Sequence, residues 1–116
     1  MPSRPDDAWR SFQTRTLTSV AQPVTIADGL RASLSQRTFE LICSHVDDIL
    51  TVPEQALVPA MRTLWTHLRV IVEVSSAVPY AALQGRSVDF KGARVALILS
   101  GGNVDLDALP WSNASA

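Results

Sequence analysis

Apolar residues fall along this chain in two patterns, one with helical spacing and one of short runs. Leu57, Met61, Leu64 and Leu68 follow at intervals of four, three and four residues, the face of a helix. Phe39, Leu41, Ile42 and Val46 fit a helix from about Gln36 to His45. Ala8, Trp9 and Phe12 give a shorter one, Asp6 to Arg15, a partial apolar face, with Asp6 or Asp7 as its cap. A further helix is expected from Ser75 or Ser76, with Pro79 in its first turn and an end near Leu83. The short runs are Ile49 to Val52, broken only by Thr51, Val70 to Val72 and Val95 to Leu99. Runs this short, bounded by polar residues and glycine, read as strands, and Arg94 to Leu99 as a buried strand of a parallel sheet.

Prolines and glycines punctuate these elements. Thr51 can cap a helix, Pro53 fits its first turn, and Glu54 stands where a capping box needs it. Pro59 removes an internal hydrogen bond and should kink or restart that helix near Gln55 to Pro59. Thr16 to Leu34, broken by Pro23 and Gly29, reads as an irregular segment that carries Ile26 and Leu30 inward. Gln84 to Ala93 reads as a polar loop. The alternation of helices and strands predicts an α/β fold. With only two or three strands visible, the parallel sheet is an incomplete one with flanking helices.

Composition narrows the function. The 116 residues fit one domain at most, 47% hydrophobic and 18% charged, so the chain folds but has apolar surface to spare. A net charge of −1 with no basic stripe argues against a nucleic-acid partner. No apolar stretch is long enough to span a bilayer, and the polar start of the chain lacks a signal-peptide core, so a cytoplasmic address is expected. Cys43 is the only cysteine, which excludes an internal disulfide and a cysteine-built zinc site.

The most specific stretch is Ser100-Gly101-Gly102-Asn103, directly after the last apolar run. In open α/β sheets ligands bind beyond the carboxyl ends of strands, where Ser100 offers a free hydroxyl. The two glycines are expected to let the backbone turn sharply there. The other polar candidates read as structural. His45 and His67 have no spaced partner, Asp47-Asp48 and Asp105-Leu106-Asp107 suit caps and turns, Cys43 suits a core, and Trp65 and Trp111 suit packing.

Several segments in fixed order resemble a known family: Thr25-Ile26-Ala27-Asp28-Gly29-Leu30, Val46-Asp47-Asp48-Ile49, Leu64-Trp65, Val72-Glu73-Val74-Ser75-Ser76-Ala77-Val78-Pro79 and Leu99 to Asp105. Together they are similar to the C-terminal portion of the pyridoxal-phosphate-dependent, fold-type II serine/threonine dehydratases, serine racemases and 3-hydroxyaspartate dehydratases, built like the tryptophan synthase β-subunit. The resemblance covers nearly the whole chain. It implies that Ser100 hydrogen-bonds the pyridine nitrogen of the cofactor, that Gly101 belongs to the same motif, and that Glu73 lies near the cofactor ring. It also implies a divalent-cation site, for Mg2+ or a similar ion, with Asp7 as carboxylate ligand and Pro5 offering its backbone carbonyl.

The departures from the family pattern are equally informative. The lysine that carries the cofactor and the glycine-rich loop that holds its phosphate lie upstream of the matched region. Lys91, the only lysine, matches nothing catalytic. Met1 stands where the family's metal-site glutamate belongs, Val74 replaces a proline or small residue, and Pro59 interrupts a helix that normally lacks proline. The expectation is therefore a single partial domain over residues 1–116, from an ammonia-lyase or racemase acting on hydroxy-amino acids and inactive alone. The alternative is a non-catalytic interaction module that self-associates, or pairs with an N-terminal half or a full-length relative.

Overall fold

The computed structural model describes residues 6–86 and 89–112. The chain divides into two compact units, Met1–Thr51 and Val52–Ala116.

In the first unit α1 (Asp7–Thr14) packs against α2 (Gln36–His45). Asp6 occupies the capping position of α1 but makes no capping bond, and pairs with Arg10 at 3.0 Å instead. Of the expected apolar face only Phe12 is buried, and Arg15 lies 4.5 Å from its ring centre. Ser35, a residue the apolar pattern does not mark, caps α2 by accepting the Thr38 N–H at 3.2 Å. Phe39 is the buried residue of that helix, while Leu41 is exposed.

The irregular segment turns different residues inward from those expected. Ile26 and Leu30 are exposed, and Thr25 and Ala27 are buried. The Thr25 hydroxyl accepts the Ala27 N–H at 3.0 Å, and the Arg31 guanidinium takes the Thr25 carbonyl at 2.8 and 3.2 Å. This local turn satisfies the polar groups at Thr25 and fixes which side faces in. A short 3-10 turn, Asp28–Leu30, follows.

In the second unit a 3-10 turn, Glu54–Ala56, leads into α3 (Leu57–Leu68). The helix thus restarts where Pro59 requires it. Pro59 falls in the first turn of α3, where its missing N–H would have had no partner in any case. No side-chain capping bond forms there, so the Thr51–Glu54 capping box is not realised. Leu57, Met61 and Leu64 are buried and Leu68 is exposed. α3 packs on α4 (Val74–Gly85), and small residues of both helices, Ala60, Ala77 and Ala81, are buried. Helix α4 starts at Val74, so Pro79 lies in its interior and not in its first turn, and neither Ser75 nor Ser76 is its cap.

The expected parallel sheet is not formed: among the described residues there is no strand. Ile49–Val52, Val70–Val72 and Arg94–Leu99 are all irregular, and the last is not buried, with Ile98 80% exposed. A strand exists through the ladder of hydrogen bonds to its neighbours, and among the described residues no such ladder is assigned to these runs. Their apolar character is that of sheet strands, but the pairing that would make them strands is not present among these residues.

Candidate functional site

The second unit gathers its chemistry where the start of α4 meets the irregular segment Ser100–Asn103. Glu73 stands at the capping position of α4 in extended conformation, with φ −81° and ψ 167°. It does not cap the helix. Its backbone N–H donates to the Gly101 carbonyl at 3.1 Å, and its Oε1 accepts the Asn103 N–H at 3.3 Å. Ser76, inside the first turn and buried, reaches the same residue. Its Oγ accepts the Gly101 N–H at 2.8 Å, donates to the Gly101 carbonyl at 2.9 Å and lies 3.3 Å from Ser100 Oγ. Ser100 is exposed.

The two glycines are required for a reason other than the one expected. Among the described residues Gly92 is the glycine with positive φ, so neither Gly101 nor Gly102 uses a left-handed turn. Both are needed for close approach. A Cβ on Gly101 would collide with Glu73 Oε1, and one on Gly102 would stand 2.8 Å from the Ile71 carbonyl oxygen. Residues 71–73 and 101–103 therefore pass each other with no room for a side chain between them.

Aromatic packing supports this arrangement. Trp65 on α3 donates its Nε1–H to the Val72 carbonyl at 2.7 Å, which pins the residue before Glu73. Trp111 meets Trp65 edge-on, with ring centres 5.0 Å apart and planes at 87°. Both tryptophans thus serve packing.

The structure brings Ser100, Gly101 and Glu73 together on one hydrogen-bonded node. Sequence reasoning missed Ser76 as part of it. The signal was its position three residues after Glu73, which on a helix start places both side chains on one side. Asn103 takes part through its backbone N–H.

The remaining candidates lie elsewhere. Asp7 is the first residue of α1, 8% exposed, and Pro5 lies outside the described residues. Among the described residues no three acidic, histidine or cysteine side chains gather, around Asp7 or anywhere else. Lys91 is exposed in a turn, His45 is exposed, and His67 Nδ1 lies 2.9 Å from the Thr63 carbonyl of its own helix. Asp105 accepts the Asp107 N–H at 2.9 Å in a turn, and Cys43 is half-buried. No helix among the described residues is long and apolar enough to cross a membrane.

Comparison with known proteins gives the site its context. The family model described as pyridoxal-phosphate dependent enzyme matches residues 2–101. β-Hydroxyaspartate dehydratase of Paracoccus denitrificans is 43% identical over 111 residues, covering 96% of this chain and 35% of that protein. Serine racemase of Rattus norvegicus is 34% identical, covering 95% of this chain and 34% of that protein. The chain spans about a third of the length of the curated relatives it matches. Among solved structures, maize serine racemase superimposes with a TM-score of 0.84 at 34% identity, over 97% of this chain and 36% of that one. A threonine deaminase from T.th. gives a TM-score of 0.81 at 41% identity, over 90% of this chain and 38% of that one. The motif match, the backbone and the sequence identity agree: the chain belongs to the pyridoxal-phosphate-dependent enzyme family.

Proposed function

We propose that this chain is the C-terminal part of the cofactor-binding domain of an ammonia-lyase or racemase acting on hydroxy-amino acids. The observation that carries this reading is the single node joining Ser100, Gly101 and Glu73, in a chain similar to β-hydroxyaspartate dehydratase.

The residues suit the polar edge of pyridoxal phosphate. Ser100 is an exposed, neutral hydroxyl whose neighbour, Ser76, is already engaged with Gly101. Such a hydroxyl can share a hydrogen bond with a ring nitrogen without holding an extra proton there, as a carboxylate would. Glu73, half-buried at the start of α4, forms the adjoining wall. The bound cofactor supplies an electron-withdrawing ring that spreads the charge left when the α-proton of an amino acid departs. Ser100 orients that ring and tunes its pull. In the lyase reaction the β-hydroxyl leaves as water and the product hydrolyses to a keto acid and ammonia. In the racemase reaction the proton returns to the opposite face. The covalent anchor and the phosphate cradle come from chain outside this stretch, since Lys91 is an exposed turn residue away from any family motif.

A second reading, a non-catalytic module that pairs with another chain, is favoured by the exposed apolar residues Ile71, Val95 and Ile98. One experiment separates the two. The chain is co-expressed with the upstream two thirds of the Paracoccus enzyme, and 3-hydroxyaspartate, serine and threonine are tested for keto-acid release. The expected result is a complex with turnover that Ser100→Ala lowers about tenfold or more. A complex without turnover supports the second reading, and turnover indifferent to Ser100→Ala removes Ser100 from the site.

A further inference from the structure

Ser76 is 1% exposed, and its hydroxyl sits between the backbone N–H and carbonyl of Gly101 and the Ser100 hydroxyl. A serine hydroxyl has one proton and two lone pairs. One lone pair takes the Gly101 N–H at 2.8 Å. The proton has two acceptors within reach, the Gly101 carbonyl at 2.9 Å and Ser100 Oγ at 3.3 Å. The Gly101 carbonyl also receives the Glu73 N–H at 3.1 Å, so it stays satisfied when the Ser76 proton turns away. With the proton on the Gly101 carbonyl, Ser76 offers its second lone pair to the Ser100 proton. With the proton on Ser100 Oγ, the Ser100 proton is released to point outward.

We propose that Ser76 is the positioning residue for Ser100: it clamps the Gly101 backbone, and by turning its single proton toward Ser100 it frees the Ser100 proton for an outside acceptor. This rests on the reading of Ser100 as the contact to a cofactor ring nitrogen. No group is left unsatisfied in either state, so the rotation is cheap. Burial of Ser76 keeps water from competing for its lone pairs.

The test uses the full 116-residue chain, with amide hydrogen exchange followed by NMR and the Leu64 amide of α3 as internal reference. Ser76→Ala is expected to speed Gly101 exchange about tenfold relative to Leu64. Ser76→Thr, which keeps the hydroxyl, is expected to stay within about threefold of the unmodified chain, and so is Ser100→Ala, because the clamp does not depend on Ser100. Taking Gly101 relative to Leu64 removes any general loss of stability. Unchanged Gly101 exchange in Ser76→Ala overturns the proposal, and so does equal loss of protection in Ser76→Thr or Ser100→Ala. In the co-expressed complex, Ser76→Ala should lower kcat with KM little changed, and Ser76→Thr should restore it. Turnover that ignores Ser100→Ala while Gly101 keeps its Ser76-dependent protection defeats the cofactor reading and leaves the clamp standing. Turnover that needs Ser100 but is the same in Ser76→Ala defeats the proposal and leaves the cofactor reading standing.

Discussion

Gly102 and Ile71 lie so close that a Cβ on the glycine would stand 2.8 Å from the isoleucine carbonyl oxygen. Backbone cannot step aside as a side-chain tip can. Gly102→Ala is therefore expected to destabilise the second unit by about 1–3 kcal/mol, the cost of overpacking a tight contact. Urea unfolding of the two chains checks this. Gly101→Ala meets instead the carboxylate end of Glu73, which can rotate away, so it should cost less stability while releasing the Asn103 N–H to exchange.

The Trp65–Val72 hydrogen bond gives a second expectation. Trp65→Phe removes the donor that holds the Val72 carbonyl at 2.7 Å. Leaving a part-buried carbonyl without its partner costs about 1–3 kcal/mol. The Trp111 ring would also face a smaller edge-on neighbour, so near-ultraviolet circular dichroism should change along with the unfolding midpoint.

Helical parts of this fold were legible in the sequence because a helix is made within its own segment. The Leu57, Met61, Leu64 face and the bounds of α2 follow from spacing alone. The runs at Val70 and Val95 carried the composition of strands, but a strand needs a neighbour, and spacing within a run cannot supply one. The approach of Glu73 to the Gly101 segment was legible through family resemblance and the expected topology, not through spacing within either segment. Ser76 was not, because its hydroxyl acts across the fold on a peptide 25 residues away.

Met61 is the largest fully buried side chain, at 1% exposure. Met61→Ala should destabilise the chain by about 2–5 kcal/mol through lost burial and the cavity left between the helices. A thermal melt by circular dichroism reads this out.

Ile98 separates two environments. It is 80% exposed in this chain, so Ile98→Lys should change the stability of the chain by no more than about 0.5 kcal/mol. If the apolar run pairs within a sheet in the co-expressed complex, the same substitution should weaken that complex sharply, because a lysine would be carried into an apolar layer. Pull-down of the upstream portion by the two chains measures the difference.

Pyridoxal phosphate added to the chain alone should form no specific adduct. Reduction with borohydride followed by peptide mass mapping is expected to find label at exposed amines, Lys91 among them, unaffected by Ser100→Ala. A stoichiometric Lys91 label lost in Ser100→Ala would make this chain a cofactor-binding unit in its own right.

Gly101 is held at both its backbone groups from the start of α4, its N–H by Ser76 and its carbonyl by Ser76 and the N–H of Glu73, the residue before the helix. That segment and the helix are thus a single lever. A push on Ser100 from outside is felt at the start of α4, which packs against α3. Whatever occupies the edge at Ser100 stiffens the helix pair behind it, and whatever loosens that pair blurs the aim of the hydroxyl.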